Sequence, residues 1–161
     1  MRHAKAEPFA ATDHERRLTE RGRASAVAAG RHLADVSLVP DHAVVSSAVR
    51  AVETWAAVVE GSGAVVEADV DGAVYNGSPH VVIEVLQAVD EDAETVLFMG
   101  HNPTAAYVAH TLDDGEGDPV ALTRLLQGFP PGALTVFGVT VPWSELGAET
   151  GRVVDFFVGD S

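Results

Sequence analysis

Apolar positions along this chain follow two spacings, one suited to helices and one to buried strands. From Thr19 to about Asp35, Ala24, Val27, Ala28 and Leu33 supply an apolar face behind an N-capping Thr19, which predicts a helix. His42–Ser46 reads as a short buried strand, and Ser47–Glu60 as a second helix ended by Gly61 and Gly63. Ala64–Ala68 reads as a weaker strand. Ser78-Pro79 pairs a capping residue with proline at the first helical position and opens a helix to about Asp90. Thr95–Met99 is a strongly apolar strand that runs into Gly100-His101-Asn102-Pro103. A helix to about Leu112 follows, then the acidic loop 113–118. Ala133–Val141 and Arg152–Val158 read as two late strands, and residues 4–18 as polar and irregular.

Strands separated by helices of 12–17 residues imply βαβ units and a mainly parallel central sheet with helices on both faces. In such sheets, sites form at the carboxyl ends of strands. The 161 residues suit one domain, spanning 1–161, and the absence of Cys excludes disulfide scaffolds, thiolate metal sites and cysteine nucleophiles. Charge changes the picture more. The net charge is −14, yet residues 1–31 carry seven of the ten basic side chains against four acids. So acidic a remainder argues against nucleic-acid and membrane partners.

The polar residues at strand ends carry the candidate chemistry. Met1-Arg2-His3 opens the chain, Ser46-Ser47 leads into the helix bearing Arg50, and the strand 95–99 ends at Gly100-His101. Two arginines and two histidines on one sheet edge would suit a tetrahedral dianion. Arginine donates a planar fork to two phosphate oxygens, and a neutral imidazole can attack phosphorus. Read singly, each residue has a structural explanation: Arg50 as a surface ion-pair partner of Glu53 or Glu60, His101 as a hydrogen-bonding residue after a strand. Trp55 and Tyr107 read as core residues, and the remaining histidines lack metal-ligand spacing.

As a set, these residues resemble the histidine phosphatase superfamily, and within it the small SixA-type phosphohistidine phosphatases. Arg2-His3-Ala4-Lys5-Ala6-Glu7 with Asp13-His14-Glu15-Arg16-Arg17-Leu18-Thr19-Glu20-Arg21-Gly22 is similar to the family's opening. Ser46-Ser47-Ala48-Val49-Arg50 is similar to its second arginine motif, and Val96–Pro103 to its second histidine motif. Phe129–Leu134 resembles the turn before a late strand. One departure stands out: the family's Arg-His pair ends a buried first strand, whereas here only Met1 precedes Arg2, so that strand is expected to be shortened and His3 poorly held.

The resemblance implies a phosphoglycerate mutase-like, three-layer α/β sandwich. It makes His3 the nucleophile, with Arg2, Arg50 and His101 holding the phosphoryl oxygens. Asp13 is the first candidate for proton donor and Glu84 the second; an ion pair of Asp13 with Arg16 or Arg17 is the structural alternative. Tyr75-Asn76 falls where small family members contact or cover the pocket, and His14 could line its entrance. The implied activity is that of a metal-independent, cofactor-free phosphatase acting through a phosphohistidine intermediate. Its expected partner is a phosphorylated protein such as a histidine phosphotransfer domain, or a small phosphoester. A small-molecule phosphomonoesterase and a non-catalytic phosphate-binding module are the alternatives. A cytoplasmic monomer or weak dimer is expected.

Overall fold

The computed structural model describes residues 1–159. In chain order the elements are α1 (Glu20–Asp35), β1 (His42–Ser46), α2 (Val49–Ser62), β2 (Asp69–Asp71), α3 (Ala73–Asn76), α4 (Pro79–Gln87), β3 (Val96–Met99), α5 (Thr104–Leu112), α6 (Pro119–Gln127), β4 (Leu134–Val139), a 3₁₀ turn at Trp143–Glu145, and β5 (Gly151–Phe157). β1 lies between β2 and β3, parallel to both, and β4 pairs antiparallel with β5. Successive strand residues face opposite sides, so each side needs its own cover. Ala43, Val45, Leu97 and Met99 pack into one core with α1 and α2. Val44 packs on the other face with Val82 and Leu86 of α4 and Val108 and Leu112 of α5. This is the expected three-layer α/β sandwich.

The helix caps behave as the sequence predicts. Thr19 accepts from Gly22 N, Ser78 accepts from Val81 N, and Gly63 closes α2 with a left-handed φ of 71°. Gly61 does not end α2 but lies inside it. A Cβ there would come within 2.1 Å of Val27 O, so its role is to let α2 approach α1 closely.

Three other expectations are corrected. The weak strand at 64–68 is instead β2 at 69–71, because the pairing with β1 runs Val44–Asp69, Val45–Val70 and Ser46–Asp71. Val65, inside the expected span, is fully exposed. α6 was not anticipated, although Asp118-Pro119 repeats the Ser78-Pro79 signal; the Asp118 carboxylate accepts from Val120 N and Ala121 N. Tyr107 is exposed on α5 rather than in the core, while Trp55 is buried as expected.

The amino-terminal segment is firmly held, contrary to the expectation for His3. Met1 O accepts from Gly100 N, His3 N donates to Gly100 O at 3.0 Å, and Arg2 N donates to Ala133 O at 2.9 Å. Residues 1–3 therefore run between the end of β3 and the start of β4. Below them an apolar cleft of about 190 Å³ separates the two strands, with Val96 and Phe98 on one side and Leu134 and Val136 on the other.

Candidate active site

The carboxyl ends of β1 and β3 bring the candidate residues together. His3 stands beside Gly100, Arg50 rises from the first turn of α2, and His101 follows β3 directly. Loop 4–18 folds back over this edge. It is pinned by Glu7 N to Arg17 O at 2.8 Å, by Leu18 N to the Glu53 carboxylate at 2.8 Å and by Val49 N to His14 O at 3.0 Å.

Hydrogen-bond partners define the tautomers. His3 Nδ1 lies 2.7 Å from Ala4 O, and a carbonyl can only accept, so Nδ1 carries the proton. The bare Nε2 then accepts from Arg50 Nε at 3.2 Å. His101 Nδ1 accepts from Arg50 Nη2 at 3.3 Å, which leaves its Nε2–H to donate to Ser46 Oγ at 2.7 Å. The two rings stand 4.9 Å apart, centroid to centroid. Two imidazole lone pairs thus face one edge of a single guanidinium. Arg2 donates through Nη1 to Phe129 O at 2.9 Å, and its buried Nε has no partner among the described residues.

Comparison with known proteins agrees with this arrangement. The profile of the histidine phosphatase superfamily (branch 1) matches residues 1–72. The uncharacterized protein ML1117 of Mycobacterium leprae is 31% identical over 163 residues, covering 98% of this chain and 99% of its own. A Nakamurella multipartitia structure assigned as the phosphohistidine phosphatase SixA superposes with a TM-score of 0.88 at 30% identity, over 100% of this chain and 94% of that one. An Agrobacterium tumefaciens structure with the same assignment gives a TM-score of 0.79 at 26% identity, over 98% and 94% of the two chains. The chain belongs to the histidine phosphatase superfamily. At the level of reaction class it is a phosphatase, and of the SixA type.

Within this histidine phosphatase, burial and charge act together on the two imidazoles. Desolvation, followed by the Arg50 and Arg2 charges, pushes His3 down to about 4, although the bond to Ala4 O opposes it. His101 is pushed down to about 3, first by burial and then by His3 and Arg50. Both rings are neutral near pH 7. Among the described residues there is no cluster of three or more His, Asp or Glu side chains placed to hold a metal ion.

Asp13, the first candidate for proton donor, reaches the site as a carboxylate held by three donors. Its carboxylate accepts from Arg50 Nη2 at 3.0 Å, Arg16 Nε at 2.9 Å and Tyr75 Oη at 2.7 Å. These bonds, that of Tyr75 foremost, hold its carboxyl well below the usual carboxylate range. The ion pair with Arg16 that the sequence offered as an alternative is present too. Glu84 is not brought to the site; it sits exposed on α4, 3.3 Å from His80. Arg50 is buried rather than on a helix surface, and Glu53 and Glu60 pair with Arg17 and Arg23 instead.

Two side chains escaped the sequence reading as functional partners. Ser46, fully buried, orients His101. Thr54, also fully buried, accepts from Ala4 N at 3.0 Å and donates to Arg50 O at 2.6 Å, linking the His3 segment to the turn that carries Arg50. Ser46 had a visible signal in the polar pair that interrupts an apolar strand end. Thr54, one polar residue among the apolar positions of α2, had none.

Proposed function

We propose that this chain hydrolyses phosphohistidine on a protein, without a metal, through a phosphoryl intermediate on His3. The observation that carries the reading is the unprotonated His3 Nε2, fixed by its Nδ1–H bond to Ala4 O and aimed at the edge of Arg50. Nε2 attacks phosphorus, the phosphorus–nitrogen bond of the substrate breaks, and the departing imidazole keeps the bonding pair. Water then attacks phosphorus on His3, its phosphorus–nitrogen bond breaks, and inorganic phosphate leaves with His3 neutral again. Arg50 and Arg2 neutralise charge on the transferring oxygens. A phosphoryl dianion at this edge favours a proton on His101, which then donates from Nδ1.

The phosphohistidine substrate fits the ionised state of Asp13. With a proton on the other nitrogen of its ring, the substrate histidine departs as neutral imidazole, whose conjugate acid has a pKa near 6.5, and needs no acid beside it, whereas an alkoxide does. The same assignment of the Nakamurella multipartitia relative points the same way.

The test is a phosphohistidine-bearing phosphotransfer protein alongside p-nitrophenyl phosphate, a phosphoserine peptide and sugar phosphates, each with and without chelator. The proposal expects fastest release from phosphohistidine, no effect of chelator, and an acid-labile phosphoenzyme that His3→Ala abolishes. Phosphoenzyme formation that survives His3→Ala would refute the mechanism. Preference for a sugar phosphate would favour the phosphomonoesterase reading, and phosphate binding with no turnover the non-catalytic one.

A further inference from the structure

Arg50 uses both edges of its guanidinium, and the two edges have different partners. The inner edge, Nε and Nη2, faces His3 Nε2 and His101 Nδ1 at 3.2 and 3.3 Å. The outer edge, Nη1 and Nη2, meets the main-chain oxygen of Asp13 at 2.7 Å and its carboxylate at 3.0 Å. A planar fork held along one edge cannot rotate about its own axis, so the other edge is aimed.

Asp13 is itself held. Tyr75 Oη donates to the same carboxylate oxygen that meets Arg50, at 2.7 Å, and Arg16 holds the other oxygen at 2.9 Å. The Tyr75 ring stands edge-on to His101 with centroids 5.6 Å apart, and edge-on to His14 at 4.9 Å. The Arg50 guanidinium carbon lies 5.9 Å from its centre. Tyr75 therefore meets four residues of the site, from a helix, α3, that has only four residues of its own.

We propose that Asp13 and Tyr75 are positioning residues: Tyr75 orients the Asp13 carboxylate, and Asp13 clamps the outer edge of Arg50 so that its inner edge points at the phosphoryl group on His3. This rests on the reading of the His3 edge as a phosphoryl pocket. Asp13 acts through Arg50 and gives no proton to the leaving group. A buried guanidinium also needs a counter-charge, and Asp13 supplies it along the outer edge.

The experiment compares wild type, Asp13→Asn, Tyr75→Phe and the double variant, with inorganic orthovanadate binding as a readout that needs no turnover. Hydrolysis of p-nitrophenyl phosphate and of glycerol 2-phosphate provides the second readout. Clamping predicts that Asp13→Asn weakens vanadate binding by about tenfold or more, consistent with the strength of charge-assisted hydrogen bonds. Tyr75→Phe, which keeps the ring and every charge, should weaken it by a smaller factor. The double variant should match Asp13→Asn, because Tyr75 acts through Asp13. The kcat/KM losses should be equal for the good and the poor leaving group.

A loss concentrated on glycerol 2-phosphate, with vanadate affinity unchanged, would make Asp13 a proton donor and overturn the clamp. So would a Tyr75→Phe effect that persists in full without the Asp13 carboxylate. Wild-type protein that binds vanadate, with Asp13→Asn and Tyr75→Phe binding it equally well, refutes the clamp alone. Wild-type protein that binds no vanadate refutes the phosphoryl pocket and the clamp with it.

Discussion

Thr54→Val removes one hydroxyl from the junction between His3 and Arg50 and changes little else in volume. In the native protein Thr54 Oγ accepts from Ala4 N at 3.0 Å, and both residues are fully buried. Valine leaves the Ala4 N–H without a partner and without access to water. Such an orphaned amide costs about 1–3 kcal/mol. Arg50 O loses the hydroxyl bond but, at an interior helix position, keeps its main-chain bond from residue 54. For a chain of this length a loss of about 2 kcal/mol lowers Tm by roughly 4–8 °C. Thermal unfolding followed by circular dichroism measures it, with Thr54→Ser as the control that restores the hydroxyl. Because the orphaned amide adjoins His3, kcat/KM for p-nitrophenyl phosphate should fall in Thr54→Val and recover in Thr54→Ser. A Thr54→Val protein that melts with wild type, or a Thr54→Ser protein as unstable as Thr54→Val, would refute the reasoning.

Acidification gives a second expectation. His3 and His101 are depressed to about 4 and about 3 in the folded protein, below the 6.5 of a free imidazole, so the unfolded chain binds more protons in between. Their contribution is complete above pH 6.5 and is lost as pH falls from there towards 3. Denaturant titrations across this window should show stability declining, and His3→Asn should flatten the decline; a wild-type curve level from pH 6.5 to 4 would count against the buried neutral pair. The acid limb of kcat/KM should have its midpoint well below 6.5, after correction for protonation of the substrate, and a midpoint at or above that value would disqualify His3 as the neutral nucleophile. A third expectation concerns the cleft between β3 and β4. Filling this cleft with apolar side chains removes apolar surface of both strands from water. Four alternating apolar residues fused ahead of Met1 should therefore raise Tm by about 5 °C or more, and an unchanged Tm would show that the cleft does not accept a strand.

Much of this molecule follows from local rules. Thr19, Ser78 and Gly63 mark helix ends because capping is decided by a few neighbouring atoms. The alternation of strands and helices implies parallel strands covered on both faces, and strand ends then point to Arg2, His3, Arg50 and His101, while the family resemblance adds Asp13 from the loop after His3. Their identity needed no coordinates. Their roles did, because a role depends on which lone pair or proton faces which partner. Ala4 O gives His3 its tautomer, and Arg50 does so for His101. From sequence Asp13 could be a proton donor or an ion-pair partner of Arg16 or Arg17, and the structure shows its carboxylate accepting from Arg16, Arg50 and Tyr75. Long-range pairing likewise decided that β2 begins at Asp69, since a ladder depends on register with β1 rather than on the apolar run before it. Sequence named the chemical groups that meet on this sheet edge, through their placement at strand ends and the resemblance to the family's motifs. Only the tertiary structure decided their protonation and direction, because, the neighbouring His3–Ala4 and Asp13–Arg16 bonds apart, the contacts that set them join residues tens of positions apart.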